Sequence, residues 1–260
     1  MNQHYPDRHH PVFFLQDSLQ AEGVQAEFNS RDERTKGMWG LIIGGKPFVW
    51  LIDNRWTHEA KTEDPSARDM IAKGALVCCA QKPDAERIGA KWLPLAVTPE
   101  YKPPATPVRQ LTDVAFVGYI RDKGREQMLL DLNAHFSISV SQGHFGNAAV
   151  SAYHLARLGM NIPTRYGHPQ AYDSANMRCF EILATGTPLV TAYQDYLSEL
   201  GLEHGFNCFL YKSPQDCIEV ILNALAQRDL AIIGKQAAQL ANERHTYGHR
   251  AKQVLEWLRD

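Results

Sequence analysis

A short stretch in the second half of the chain, residues 176–192 (NMRCFEILATGTPLVTA), holds an Arg and a Glu three positions apart. On a helix, Arg178 and Glu181 would share one face, where an exposed ion pair would stabilise the helix by only ~0.3 kcal/mol. The same two groups could instead hold a ligand, because a guanidinium binds phosphate oxygens and a carboxylate accepts hydrogen bonds from hydroxyl groups. Local rules predict a helix from about residue 174 to residue 185, ended by Gly186 and Pro188.

A second stretch with chemical potential is GYIRDKGR, residues 118–125, which lies between a predicted strand and a predicted helix. Flexible glycine backbone, a helix N-terminus and cations together can hold a diphosphate, since amides and cations both stabilise negative oxygens. The stretch lacks the GxxxxGK(S/T) and GxGxxG patterns, which disfavours a P-loop ATPase or a standard dinucleotide site. A solvated turn whose charges face water is the competing interpretation. The candidate residues here are Gly118, Arg121, Lys123 and Arg125.

Candidates for proton transfer follow the most apolar strand of the first half of the chain. Asp53 and His58 lie in DNRWTHE, and either could accept a proton from a hydroxyl group. Each could equally be a helix cap or a hydrogen-bonded loop residue. His245 and His249 have the helical spacing of metal ligands, but no third ligand accompanies them, so we predict no metal site.

The secondary-structure elements that must position these residues are predicted from the hydrophobic periodicity and from the residues that end each segment. In the first hundred residues, short apolar runs alternate with polar, helix-compatible segments, and the same alternation resumes after residue 113. Such alternation favours mainly parallel sheets covered by helices on both faces. The predicted strands are 11–15, 23–28, 40–43, 47–52, 75–80, 91–97, 114–120, 136–141, 188–192 and 208–211, and the predicted helices of the second half are 124–135, 147–159, 174–185 and a series from 214 onwards.

The proline-rich stretch from residue 98 to residue 113 divides the chain. It has no hydrophobic period and is typical of an extended connector. We therefore predict a reduced first lobe (1–97), a linker (98–112) and a second lobe (113–260). In doubly wound sheets, ligands bind beyond the C-terminal ends of the strands, and in two-lobed proteins they lie in the cleft between lobes.

The composition limits the class of protein. The chain has 260 residues, 44% of them hydrophobic and 22% charged, with no apolar run near the ~18 residues of a membrane span. The N-terminus lacks a signal-peptide layout, so we expect a cytoplasmic protein. Five cysteines without CxxC spacing indicate buried thiols rather than a disulfide framework or a zinc site. A net charge of -2 provides no overall attraction for nucleic acid.

Four stretches taken together resemble the landmarks of GT-B glycosyltransferases, especially the spore-maturation-like group related to the large retaining family 4. They are AKWLPLAVTPEYKPP (90–104), DVAFVGYIRDKGRE (113–126), LARLGMNIPT (155–164) and DSANMRCFEILATGTPLVT (173–191). The resemblance covers residues 91–260 well and the first ninety only loosely. It implies two Rossmann-like lobes, a donor site in the second and an acceptor site in the first.

The resemblance also implies roles for residues. Asp173, seven residues and then Glu181 match the Glu-x7-Glu pattern of retaining members, so Glu181 would bind the donor ribose and Asp173 the sugar hydroxyls or the pyrophosphate. Asn176 and Arg178 match the N-x-R-x-x-E core and would reach the diphosphate or the sugar. The phosphate-binding cations would be Arg121 and Lys123, with Arg125 as a third candidate, and Asp53 matches the group's carboxylate after an aromatic-rich strand.

The implied function is a metal-independent, retaining transfer of a sugar from a nucleoside diphosphate to an acceptor hydroxyl, with Asp53, His58 and Arg178 as catalytic residues and a UDP-sugar as the favoured donor. No other cofactor is implied. The short first lobe leaves the acceptor open between a small molecule, a glycan and hydroxymethylated bases of phage DNA, which Arg55, Trp56 and Lys61 would face. Two further functions stay open, a non-catalytic module that binds sugar nucleotides and a GT-B epimerase.

Overall fold

The computed structural model describes residues 10–29, 38–52, 60–120, 122–163 and 175–259. The chain divides into two compact units, one formed by Met1–Ala96 with Thr246–Asp260 and the other by Val97–His245. In the described part, the first unit contains α1 (Pro11–Ala21), β1 (Ala26–Asn29), β2 (Met38–Ile43), β3 (Lys46–Leu51), α2 (Ala60–Ala72), β4 (Leu76–Cys79), α3 (Lys82–Ile88), β5 (Lys91–Trp92) and, at the other end of the chain, α9 (Tyr247–Arg259).

The second unit is continuous in sequence. Its described elements are β6 (Thr112–Val117), α4 (Lys123–Asn133), β7 (Ile138–Ser141), α5 (Asn147–His154), β8 (Ala156–Asn161), α6 (Met177–Ala184), β9 (Leu189–Ala192), a 3-10 helix (Asp195–Leu200), β10 (Cys208–Tyr211), α7 (Pro214–Ala226) and α8 (Leu230–Arg244).

The first described element is a helix where the apolar run 11–15 predicts a strand, so that prediction is wrong. Pro11 occupies the first turn of α1, where its missing N–H costs nothing, and the His10 side chain caps the helix by accepting from Val12 N. Leu15 and Leu19 continue the buried face at helical spacing. The period of the buried residues therefore decides the structure over the β-propensity of Val12 and the two phenylalanines.

The sheet of the first unit has the order β1-β2-β3-β4-β5. β3, β4 and β5 are parallel, as predicted, but β1, β2 and β3 pair in antiparallel fashion. The reversal between β2 and β3 is a two-residue turn at Gly44 and Gly45, whose φ values of 55° and 82° suit glycine. A Gly-Gly pair between two apolar runs indicates a β-hairpin. A prediction based on β/α alternation alone does not include this hairpin.

The C-terminal helix α9 belongs to the first unit, whereas the sequence predicts that the second lobe extends to residue 260. Buried Arg250 donates to Pro94 O at 2.7 Å and to Leu95 O at 3.1 Å. The ring of Tyr247 lies 6.5 Å from that of Trp50, which is fully buried. These contacts satisfy a buried cation and fill the core, and so they fix α9 against the strands of the first unit.

The sheet of the second unit is parallel throughout, in the order β10-β9-β8-β6-β7. Its central strand, β8, lies where the sequence predicts the end of a helix (147–159). The Ala, Leu, Arg and Met of this segment favour helix locally, but pairing with β6 and β9 on both sides overrides that propensity. Gly159 allows α6 to pack closely, since a Cβ there would lie 3.1 Å from Ile182 Cγ1.

The order of this sheet places β7 on one side of β6 and β8 on the other. From β6, the chain adds β7 on one side and then β8, β9 and β10 on the other. The direction in which strands are added therefore reverses between β6 and β8, which is the topological switch point of a doubly wound fold. The C-terminal ends of these two strands are Val117 and Asn161. Ligands of such folds bind in the crevice outside those ends.

The proline-rich segment, residues 98–111, forms neither helix nor strand and belongs to the second unit. Lys102 O lies 3.0 Å from His154 Nε2 at the end of α5, and Pro103 borders the turn after α6, because a Cβ at Gly186 would lie 3.4 Å from Pro103 Cγ. The segment is thus packed on its own unit along part of its length.

The contact between α6 and α8 leads to a test of packing. A Cβ on Gly234 would overlap the backbone of Gly186, 3.1 Å from its carbonyl carbon. Gly234→Ala should lower the free energy of unfolding by about 1–3 kcal/mol, as overpacking does, despite the better helix propensity of Ala. Gly248→Ala is the matched control, since a Cβ on that helical glycine would meet only Thr246 Oγ1 at 3.6 Å. Urea denaturation measures both, and equal stabilities would contradict the packing argument.

Candidate functional site

Asn161 organises the polar groups at the switch point. Its side chain is fully buried at the end of β8, and its Nδ2 donates to Thr191 Oγ1 of β9 at 3.0 Å. Its Oδ1 accepts from Asn176 Nδ2 at 2.9 Å and from Arg178 Nη1 at 2.8 Å. One amide thus connects two strands to the start of α6.

Arg178 joins α6 to the end of β6 as well. Its Nε donates to Val117 O at 2.5 Å, and its Cζ lies 4.9 Å from the centre of the buried Phe116 ring. A guanidinium carries five N–H donors, and the described residues accept from two of them. The half-buried cation therefore retains donors for an anion at the switch point.

Gly118 is the residue against which this guanidinium lies. A Cβ at position 118 would be 2.9 Å from Arg178 Cζ, closer than real Cβ contacts come. Its φ of 154° is a further reason for glycine. The sequence predicts that Gly118 gives flexible backbone beside a phosphate, and the structure adds that it makes room for Arg178.

The start of α6 completes this part of the site. Asn176 is the N-cap residue, yet its side chain makes no capping hydrogen bond and its amide turns to Asn161. Its buried Oδ1 has no hydrogen-bond partner among the described residues. The N-terminus of a helix carries a partial positive charge, so the first turn of α6 and Arg178 both favour an anion.

Glu181 lies one turn further along α6 in a different environment. Burial raises the pKa of its carboxyl group to about 7, although the neighbouring Tyr101 hydroxyl and the charge of Arg178 both favour the ionised form. The Glu100 carboxylate adds to the increase. Nearby Tyr153 is fully buried, and its hydroxyl has no hydrogen-bond partner in the described part of the chain. Glu181 is therefore a carboxyl group poised to change charge near neutral pH.

The predicted phosphate-binding cations Lys123 and Arg125 have different environments in the structure. Lys123 is the exposed first residue of α4, compatible with a phosphate contact. Arg125 is only 4% exposed, and its two terminal nitrogens donate to Tyr119 O at 2.7 Å and Ile162 O at 2.8 Å. Those bonds tie the turn after β6 to the chain after β8, which favours a structural role over a diphosphate contact.

Four predicted site residues, Asp53, His58, Arg121 and Asp173, lie outside the described residues, and their roles stay predictions. Two histidines weighed as metal ligands make other contacts: His245 Nε2 lies 2.8 Å from Leu200 O, and His249 Nδ1 lies 2.7 Å from Thr246 Oγ1. The described residues include no group of three or more His, Cys, Asp or Glu that could hold a metal ion. All five cysteines are buried, as predicted.

Two residues at the site were not predicted. Asn161 ends a strand that the sequence did not reveal, although a polar residue closing the run LGMN is a signal for one. Tyr101 lies in the proline-rich segment, where a single aromatic residue among prolines is the available signal. Both are visible only when distant parts of the chain are brought together.

The fold of this chain is similar to the folds of solved GT-B glycosyltransferases. HepE from Anabaena, in complex with UDP and glucose, has a TM-score of 0.58 and 16% identity, with 80% of this chain and 71% of HepE covered. TarM from S. aureus has a TM-score of 0.59 and 11% identity, with 80% of this chain and 50% of TarM covered. Sucrose-phosphate synthase from Thermosynechococcus elongatus has a TM-score of 0.57 and 12% identity, with 78% of this chain and 63% of the synthase covered. The chain thus spans half the length of TarM.

The chain belongs to the family described as glycosyl transferase-like, whose model matches residues 117–256, more than half of its length. No curated protein sequence matches it. The predicted two-lobed α/β fold of glycosyltransferases is confirmed. Within the described ranges, no helix has the length and apolar character to cross a membrane.

The hydrogen bonds of Asn161 can be tested by removing them. Asn161→Ala leaves the side chains of Thr191, Asn176 and Arg178 each without one partner. At about 1 kcal/mol for each bond, the free energy of unfolding should fall by about 3 kcal/mol in urea denaturation. Asn242→Ala on α8 is the control, because Asn242 donates a single bond to Ala238 O of its own helix. Equal losses in both variants would contradict the proposed organising role.

The pKa of Glu181 predicts a pH-dependent stability. A carboxyl group with a pKa of about 7 in the folded state and an ordinary value of 4.5 binds its proton more tightly when folded. Its contribution to stability is therefore present below pH 4.5 and is lost as the pH rises through 7. Glu181→Gln should remove this loss, so its Tm relative to wild type should rise between pH 4.5 and 7.5. Exposed Glu219→Gln should keep the wild-type profile in the same thermal melts.

Proposed function

We propose that the protein transfers a sugar from a nucleoside-diphosphate sugar, with a UDP-sugar favoured, to an acceptor hydroxyl without a metal ion, and that its second unit binds the donor. The observation that carries the proposal is the Arg178 guanidinium, which is fixed at the switch point and has further N–H donors that can bind an anion. HepE, which has a similar fold, was solved with UDP and with UDP-glucose. The crevice at the switch point of this chain has charges suited to a diphosphate.

Arg178 would stabilise the leaving group. As the bond between sugar and phosphate breaks, negative charge grows on the diphosphate, and a cation already fixed in place lowers the barrier without reorganising. The bonds to Val117 O and Asn161 fix this guanidinium. The N-terminus of α6 adds to the positive potential, and Lys123, with Arg121 as a predicted partner, would contribute further charge.

Glu181 would hold the nucleoside. An ionised carboxylate can accept hydrogen bonds from two ribose hydroxyls, and Glu181 lies three residues after Arg178 on the same helix. Asp173 would contact the sugar or the pyrophosphate. Asp53 or His58, from the first unit, would accept the proton of the acceptor hydroxyl, and retention of configuration follows from the resemblance to retaining enzymes.

Among acceptors, the charge of the chain disfavours DNA, because a net charge of -2 gives no general attraction for phosphates. Arg55 and Trp56, proposed to face DNA, lie outside the described residues, as does the side chain of Lys61. A small molecule or a glycan is therefore the favoured acceptor. Turnover with any acceptor would separate an enzyme from a module that only binds nucleotide sugars.

Binding of UDP and UDP-glucose in the presence of a chelator tests the proposal. Arg178→Ala and Glu181→Ala should each weaken affinity about 10- to 100-fold in calorimetry, the effect of losing a hydrogen bond to a charged group. Exposed Lys235→Ala and Glu219→Ala should bind like wild type. Slow release of UDP from UDP-glucose without metal is expected, and proton NMR of the product reports its anomeric configuration. Unchanged UDP-sugar and GDP-sugar binding in both site variants would refute the donor site.

A further inference from the structure

Thr191 lies next to Asn161 in the sheet, on the side that α6 covers. It is fully buried on β9, and the register of the sheet pairs it with Asn161 of β8. Because side chains alternate between the faces of a strand, and Cys179 Sγ of α6 lies 3.8 Å from Thr191 Oγ1, the hydroxyl points to the face on which α6 packs. Thr191 thus lies on the same side of the sheet as Arg178.

The Asn161 amide lies between Thr191 and Arg178, and its two ends are chemically different. Its Nδ2 donates to Thr191 Oγ1 at 3.0 Å, and its Oδ1 accepts from Arg178 Nη1 at 2.8 Å. A guanidinium has donors only, whereas a threonine hydroxyl can accept. The two neighbours therefore favour the same orientation of the amide, with its oxygen towards Arg178.

The opposite orientation of this amide would have an acceptor on Asn176. In the observed arrangement Asn176 Nδ2 donates to Asn161 Oδ1 at 2.9 Å, and the buried Oδ1 of Asn176 has no hydrogen-bond partner among the described residues. If both amides turned over, that oxygen could accept from Asn161, but Arg178 would then face an NH2 group. The hydroxyl of Thr191 stabilises the orientation in which the guanidinium keeps its acceptor.

The backbone of Asn161 is fixed separately from its side chain. The hydroxyl of Tyr211 on β10 donates to Asn161 O at 3.3 Å, and the pairing of β8 with β9 includes Asn161 itself. The sheet therefore holds the residue in place, while its side-chain partners decide how the amide is turned. Loss of the Thr191 hydroxyl would change the orientation of the amide without requiring the strand to move.

We propose that Thr191 is a positioning residue for the donor site: by accepting from the Asn161 amide, its hydroxyl keeps the amide oxygen towards Arg178 and holds the guanidinium where it binds the diphosphate of the donor. The proposal rests on the role of Arg178 proposed above. It extends the site to β9, through a fully buried residue that does not itself touch the donor.

Thr191→Val tests the proposal, because valine has nearly the same shape as threonine and no acceptor. In calorimetry, affinity for UDP should fall about fivefold, the effect of one neutral hydrogen bond, since Arg178 loses a fixed acceptor. Thr191→Ser keeps the hydroxyl and should bind UDP like wild type. Thr187→Val is the matched control: it removes a buried hydroxyl that donates to Tyr153 O at 3.1 Å, and UDP affinity should not change.

A double substitution shows whether Thr191 acts through Arg178. In the Arg178→Ala protein the guanidinium is absent, so the addition of Thr191→Val should cause no further loss of UDP affinity. If Thr191→Val weakens binding by the same factor with and without Arg178, then Thr191 affects the donor site by another route and the proposal is overturned.

NMR of the Arg178 guanidinium gives a readout that needs no ligand. The bond from Nη1 to Asn161 Oδ1 slows rotation of the group about its Nε–Cζ bond. Rotation should therefore be faster in Thr191→Val and unchanged in Thr187→Val, with the signal assigned from its absence in Arg178→Ala. Thr191→Ala, which also lacks the hydroxyl, provides the same test if Thr191→Val folds poorly.

The outcomes separate this proposal from the proposed function. Unchanged rotation in both Thr191→Val and Thr191→Ala would overturn the role of Thr191, as would a loss of UDP affinity in Thr191→Ser equal to that in Thr191→Val. Failure of the wild-type protein to bind UDP would refute the donor site instead. In that case the rotation rates in the free protein still decide whether Thr191 holds the acceptor of Arg178 in place.

Discussion

The arrangement of the second unit depends on where a half-buried guanidinium finds its acceptors. Two of the N–H groups of Arg178 donate to the ends of two strands, which provide a carbonyl and an amide oxygen. Both acceptors are neutral, so they satisfy the hydrogen bonds without cancelling the charge. The geometry thus fixes a cation while preserving its positive potential, which is the combination that anion binding at a switch point requires.

The short helix α6 uses its two charged residues in separate ways. Its apolar side, with Phe180, Ile182 and Leu183 fully buried, packs on the sheet. The other side carries Arg178 towards the strand ends and Glu181 towards the proline-rich segment. Residues three apart on a helix are close enough for an ion pair, but here Arg178 donates to acceptors at the strand ends instead. The two charged residues of α6 therefore lie in different environments although they are three positions apart.

Much of the site could be predicted because its residues are close in sequence. The helix containing Arg178 and Glu181, its end at Gly186 and the following strand obey local rules of period and capping. β8 could not be predicted, since Leu, Arg and Met prefer helix and only pairing with β6 and β9 makes the segment a strand. The same limit applies to Arg125, whose type indicates a phosphate ligand until Tyr119 O and Ile162 O are placed beside it. Interactions across long sequence separations, such as Arg178 with Val117 O, have no local signature.

The position of α9 has a consequence for the order in which the protein can assemble during synthesis. The second unit is one uninterrupted stretch of chain, so all of its strands are available once residue 245 has left the ribosome. The first unit cannot complete its core before α9 has been synthesised, because the backbone oxygens of Pro94 and Leu95 accept hydrogen bonds from Arg250 of that helix. Domains generally fold as units during translation, N-terminal ones first. In this chain, the first unit needs a helix that is synthesised after the whole of the second unit.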